Sequence, residues 1–220
     1  PWDDDLDIYM PRPDYEKWLG LADEFKAGTG FDISSFRNGT YHYPFSKMTN
    51  PAIRAQEVSV EGSYEGYLWI DVFPVDGVPD DDAEYARLLR YRHLRFKLTN
   101  LAFTKGSKSK VKAAFKAVVQ PVFRLFVDPV ELASQVDERC RRISFETANR
   151  VACPVYGFTF KGKSIPREEF EKTVMLPFGD TEQPCMSCWD EYLTKSYGDY
   201  MKLPPEEKRW HHPQKIWRVK

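Results

Sequence analysis

The pattern of hydrophobic and polar positions changes period several times along this 220-residue chain. Asp5-Leu6-Asp7-Ile8 alternates as a strand does, which sends Leu6 and Ile8 to one face and the two carboxylates to the other. Pro13 suits the first turn of a helix. Tyr15, Trp18, Leu19 and Leu21 predict that this helix runs to about Lys26, before the break at Gly28-Thr29-Gly30. Residues 31–60 read as strands: Phe31–Phe36, a hairpin turn at Arg37-Asn38-Gly39, then Thr40–Met48 and Glu57–Val60. Tyr67–Phe73 is the strongest strand pattern, apolar on both faces except at Asp71, and Pro74–Pro79 predicts a turn after it. From Asp81 the period becomes helical, over 81–104, 108–127 and 129–150, with a kink expected near Pro121. Short strands follow, with helices expected at Arg167–Thr173 and Trp189–Met201 and a last turn from Leu203 to Arg209.

Composition narrows the class without naming a function. A hydrophobic content of 42%, with 15% aromatic residues, describes a chain that buries a core rather than a disordered one. The net charge of −1 gives no global reason to expect a nucleic-acid partner. No apolar run has the length of a membrane span and no basic-then-apolar leader opens the chain, so a cytoplasmic location is expected. The first residue is proline, which suggests a segment of a longer protein.

Two local features leave alternatives open. Cys185-Met186-Ser187-Cys188 has the spacing of a zinc or redox motif. Zinc needs two further ligands from Cys140, Cys153 or a histidine, and redox chemistry needs a thioredoxin-like context, so reduced thiols are the expectation. Between Arg87 and Lys116 there is no acid, while Arg87, Arg90, Arg92, Arg95, Lys97 and several later lysines are basic. That run is either a solvated face or a surface for an anionic acceptor, donor phosphates or a membrane.

Chemistry concentrates in the carboxylates. Asp5 and Asp7 repel each other on one strand face, and a divalent cation turns that repulsion into coordination. Asp3 shares the face if the strand extends back that far, whereas Asp4 points away. Asp71, alone in an apolar strand, needs a partner, a hydrogen bond or a metal, unless it caps the turn at Asp76-Gly77. An apolar–Asp–apolar–Asp strand followed by a second strand with one central acid is the arrangement that holds Mg²⁺ against a nucleotide's phosphates in nucleotidyltransferase folds.

Three blocks then carry a resemblance across the whole chain: PWDDDLDIYM with Arg12-Pro13-Asp14-Tyr15, WIDVFPVDGVPDD, and YGDYMKLPPEEKRWHH. Together they resemble the LicD family of phosphotransferases, related to the fukutin-related ribitol-phosphate transferases. The resemblance implies an α+β, nucleotidyltransferase-like mixed sheet over residues 1–220, with a helical elaboration at about 81–150. The relatives' Gly-rich phosphate-binding turn is expected ahead of Pro1. The implied activity is transfer of a phospho-alcohol, typically phosphocholine, from CDP-choline or a related CDP-alcohol to a sugar of a teichoic acid or lipopolysaccharide. The family's metal-binding acids fall on Asp5, Asp7 and Asp71, with Asp3 auxiliary and Mg²⁺ or Mn²⁺ as the cofactor.

Lys47, within Tyr43-Pro44-Phe45-Ser46-Lys47, then reads as a contact to donor phosphate or as a surface lysine. Arg12 pairs either with phosphate or with Asp14, and Arg209 and His211, or His212 beside it, are further candidates for substrate contact. Association with the inner membrane face is a further expectation. The competing readings are nucleotidyl transfer with pyrophosphate release, and a non-catalytic glycan-binding module.

Overall fold

The computed structural model describes residues 6–57, 65–103, 110–156, 164–206, 209 and 214–219. Within them the chain forms β1 (Asp7–Pro11), α1 (Arg12–Gly20), α2 (Ala22–Thr29), β2 (Asp32–Ser34), β3 (Ser46–Glu57) and β4 (Glu65–Val78). Three helices follow, α3 (Asp82–Phe103), α4 (Lys110–Phe126) and α5 (Pro129–Cys140). The remainder comprises β5 (Arg150–Ala152), β6 (Ile165–Pro166), α6 (Arg167–Glu171), β7 (Thr173–Phe178), β8 (Thr181–Met186), α7 (Trp189–Tyr197) and β9 (Gln214–Arg218). The architecture is α+β, as expected.

Seven of the strands make a mixed sheet in the order β2-β3-β4-β5-β6, with β1 beside β4 and β9 beside β3. β1 runs parallel to β4, while β3 and β5 run antiparallel to it. β7 and β8 form a separate hairpin. The long β4 is therefore the spine, with β1 on one edge and β3 on the other over residues 71 and 72.

Several local expectations change, each because a non-local partner appears. Of the turn predicted at Pro74–Pro79, all but Pro79 is strand: β1 and then β5 supply hydrogen-bond partners, and a proline forfeits only one donor. The sequence's third helix ends at Cys140, not near 150, and the chain beyond it closes over β4. There Gly77 leaves no room for a side chain, since a Cβ would lie 2.6 Å from the Ser144 carbonyl oxygen. The first helix divides at Leu21 into α1 and α2. The hairpin expected at Arg37-Asn38-Gly39 is a single 3-10 turn, Phe36–Asn38, closed by Gly39 at φ 73°. Its cause is side-chain capping: Asn38 accepts from the Ser35 amide and donates to the Ile33 carbonyl. Thr40–Phe45 is not strand; β3 begins at Ser46 and bulges between Asn50 and Arg54, around Pro51.

Burial is concentrated around β4. Phe45, Phe73, Val78, Tyr85, Leu88, Val136 and Val155 belong to one core cluster, to which α3 and α5 both contribute. Cys140 and Cys153 lie in the same cluster, and burial pushes the Cys153 thiol up to about 12. They are structural thiols, remote in character from metal ligands.

Alternation along β4 puts Asp71, Phe73 and Val75 on one face and Val72, Pro74 and Asp76 on the other. The second face holds a buried ion network. Arg12 donates to both oxygens of Asp76, at 2.6 and 2.7 Å, to Asp137 at 2.8 Å and to Glu16 at 3.2 Å. Arg37 joins Glu16 and Asp137. Burial alone would lower the Arg12 pKa, but Asp76 and Asp137 hold it raised. Arg12 was expected to meet phosphate or Asp14. Instead it is 7% exposed and bound to Asp76 on the face away from Asp71.

Candidate functional site

β1 ends at Pro11, and its parallel pairing with β4 sets Asp7 beside Asp71, Ile8 beside Val72 and Tyr9 beside Phe73. On the other edge of β4 the antiparallel register sets Lys47 beside Asp71. Residues directly opposite in a sheet share a face. Asp7, Asp71 and Lys47 therefore form one row across three adjacent strands. The Lys47 ammonium donates to Asp71 Oδ1 at 2.7 Å; its side chain is 6% exposed and that of Asp71 21%. Asp7 is exposed. The row thus grades from solvent at Asp7 to a nearly buried cation at Lys47.

Aromatic residues wall the buried end. The Lys47 ammonium lies 4.3 Å from the centroid of Trp69 and 5.1 Å from that of Tyr41, in cation–π contact with both. Phe73 packs on Tyr9, Phe45 and Tyr156 with centroids 4.6–5.6 Å apart. α3 closes the wall: Phe96 meets Tyr43 edge-on, and the Tyr43 hydroxyl donates to Asn100 at 2.8 Å. From α7, Tyr192 hydrogen-bonds Tyr9 near Asp7, and burial raises the pKa of both phenols, so both stay protonated at neutral pH. Arg92, also from α3, donates to the Tyr156 carbonyl at 2.9 Å, while its buried Nε has no hydrogen-bond partner among the described residues.

His42 packs on Tyr43 in a tilted arrangement with centroids 4.6 Å apart, and burial, then the Lys47 charge, lower its pKa from the usual 6.5. The sign follows from linkage. In the window between the lowered folded pKa and 6.5 the unfolded chain binds more protons, so stability falls as pH drops through that window. Replacing His42 with Phe is expected to flatten this part of the stability–pH curve, measured by urea unfolding at successive pH values. An unchanged slope would count against a neutral, half-buried His42.

The sequence candidates fare differently. Asp7, Asp71 and Lys47 come together. Arg12 does not join them. Arg209 donates to the Pro204 carbonyl at 2.8 Å and pairs with Glu206 at 3.9 Å, both inside its own turn. Asp3, Asp5, His211 and His212 lie outside the described residues. Among the described residues no group of three or more His, Cys, Asp or Glu side chains could hold a metal. Cys185 and Cys188, at the end of β8 and the start of α7, have pKa values raised by burial, opposite to the shift that activates a redox cysteine. His42, Trp69, Tyr9 and Tyr192 were not singled out in the sequence. The only available signal was the aromatic density of 41–45 and the period of two linking Trp69 to Asp71.

Over 230 residues the chain is 26% identical to the lipopolysaccharide cholinephosphotransferase LicD of Haemophilus influenzae, covering 99% of this chain and 81% of that protein. This match supports a LicD-family assignment. No family model matches the chain, and no solved structure matches it. The alignment with LicD spans the acidic row, the aromatic wall and the helices α3–α5 alike, so the similarity belongs to the whole chain and not to one motif.

Proposed function

We propose that this LicD-like chain is a metal-dependent transferase that moves a phospho-alcohol, phosphocholine first among them, from a CDP-activated donor to a sugar hydroxyl. The acceptor in this reading is a cell-surface glycan of the lipopolysaccharide or teichoic acid kind. The observation that carries it is the in-register row of Asp7, Asp71 and Lys47 in a chain similar throughout to a cholinephosphotransferase. The reading includes a nucleotidyltransferase-like fold, a single catalytic domain over 1–220 with an elaboration at 81–150, and a cytoplasmic setting at the inner membrane face. Four free cysteines accord with a reducing compartment.

The residues present fit a hard divalent cation. Two carboxylates on adjacent strands, one exposed and one partly so, are the oxygen donors that Mg²⁺ or Mn²⁺ takes, with water and phosphate completing the shell. Asp7 and Asp71 would hold it, with Asp5 and Asp3 as further donors. Such a cation supplies neutralisation of the donor's phosphates and orientation of the attacking group.

Lys47 adds a fixed positive charge beside the row, its ammonium held by Asp71 and the ring faces of Trp69 and Tyr41. That position suits donor phosphate, where a prearranged charge needs no reorganisation during reaction. The acceptor hydroxyl oxygen attacks the phosphorus that bears the alcohol, and the bond from that phosphorus to the CMP oxygen breaks. The hydroxyl proton passes to a carboxylate of the row, and CMP leaves.

A screen of CDP-choline, CDP-ribitol, CDP-glycerol and CDP-ethanolamine, with Mg²⁺ and with chelator, tests the reading. Metal-dependent CMP release from one of these donors is the expected result. Pyrophosphate release from CTP would replace it with nucleotidyl transfer. No turnover and no Mg²⁺-dependent binding of any CDP-alcohol by calorimetry would leave a glycan-binding module.

A further inference from the structure

α4 carries an apolar stripe facing solvent. Val118, Val122, Leu125 and Phe126 are 76, 54, 80 and 83% exposed. Successive steps of four, three and one residues set these four on one side of a helix. Val119 and Phe123, on the adjoining side, are half-buried, and α3 packs against α4. Large side chains clustered in this way mark an interaction surface, since soluble chains seldom leave contiguous apolar patches open.

Charge states what kind of partner fits. From Tyr85 to Val127 there is no acid, and the same stretch holds eleven lysines and arginines: Arg87, Arg90, Arg92, Arg95, Lys97, Lys105, Lys108, Lys110, Lys112, Lys116 and Arg124. The whole chain nets −1, so positive charge is segregated into this one segment. A second copy of the chain would bring the same cations to a self-complementary interface and repel. An anionic lipid surface instead accepts both halves of the feature, apolar side chains at the headgroup–acyl boundary and cations against phosphate. Among the described residues no helix is long and apolar enough to cross a membrane.

We propose that α4 docks this protein on an anionic phospholipid surface. Val118, Val122, Leu125 and Phe126 enter the boundary, and the acid-free segment supplies the long-range attraction. α3 packs against α4 and also walls the aromatic end of the acidic row through Phe96 and Asn100, so a single helix links the docking stripe to that wall. The proposal needs neither the donor nor the transfer reaction.

The test is flotation of the full chain with vesicles, without donor or acceptor. Vesicles of phosphatidylcholine alone are compared with equal parts phosphatidylcholine and phosphatidylglycerol, at low and high salt. Binding is expected to the anionic vesicles only and to weaken with salt. The combined variant Val122→Ser, Leu125→Ser, Phe126→Ser should bind roughly tenfold or more weakly, since insertion scales with the apolar area buried. All three positions are exposed, and circular dichroism checks that the fold is kept.

Three outcomes would overturn the proposal. One is absence of binding to anionic vesicles; another is equal binding by the variant. The third is a concentration-dependent dimer that the variant abolishes while vesicles go unbound, which would assign the stripe to a second copy.

Discussion

Asp7→Asn is expected to lower phospho-alcohol transfer by about 10²–10³-fold or more, while changing the unfolding free energy by no more than about 0.5 kcal/mol. The separation follows from position. Asp7 is exposed at the start of β1, where replacing one polar side chain by another of the same shape costs little. Its register places it beside Asp71, and in the proposed mechanism the charge of both carboxylates would hold the divalent cation. Asparagine keeps the shape and the strand but removes the anion. Asp71→Asn should reduce turnover comparably and, in addition, cost stability, because it replaces a charged acceptor of the nearly buried Lys47 ammonium with a neutral one. Turnover with CDP-choline and urea unfolding, measured on both variants, check the pair. Near-wild-type turnover in Asp7→Asn would remove the acidic row from the mechanism.

The largest effect on stability is expected at Arg12. Arg12→Ala leaves Asp76 and Asp137, 1% and 2% exposed, without the guanidinium that binds them both. Removing one member of a buried charge group costs about 3–5 kcal/mol, a large part of the roughly 5–15 kcal/mol that holds a domain folded. Because that variant can fail to fold, Arg12→Lys is the sharper probe. Lysine retains charge but loses the two-pronged bond to Asp76, so a smaller loss of stability is expected with KM for the donor unchanged. A raised KM at unchanged stability would restore Arg12 as a phosphate contact. Denaturant midpoints together with donor titrations distinguish the two.

Arg12 also shows why part of the site was illegible in sequence. Its nearest acid along the chain is Asp14, yet its partners are Asp76, 64 positions away, and Asp137, 125 positions away. An arginine that binds phosphate and one that binds two buried carboxylates have the same local signature. Lys47 illustrates the converse. Its neighbours Tyr43, Pro44, Phe45 and Ser46 mark an aromatic block, but only the β3–β4 register says that it meets Asp71 and not solvent. The Pro74–Pro79 segment fails for a related reason: proline and glycine signal a turn locally, and two neighbouring strands overrule them.

Short-range physics accounts for what the chain announced by itself. A period of two fixes which side chains of one strand share a face, so the Asp7 side of β1 and the Asp71 side of β4 could be read separately. A helical period from position 129 marks α5, and the structure adds its cap, the Asp128 carboxylate accepting from the Val130 amide at 2.8 Å. The resemblance to LicD was likewise present in ordered blocks of sequence. Tertiary structure alone decided that Lys47 joins Asp7 and Asp71 in one row, that Arg12 belongs to the opposite face, and that the α4 stripe stays in solvent. Those outcomes depend on strand register and burial, which are set by contacts between residues far apart in the chain and leave no mark on the residues taken one at a time.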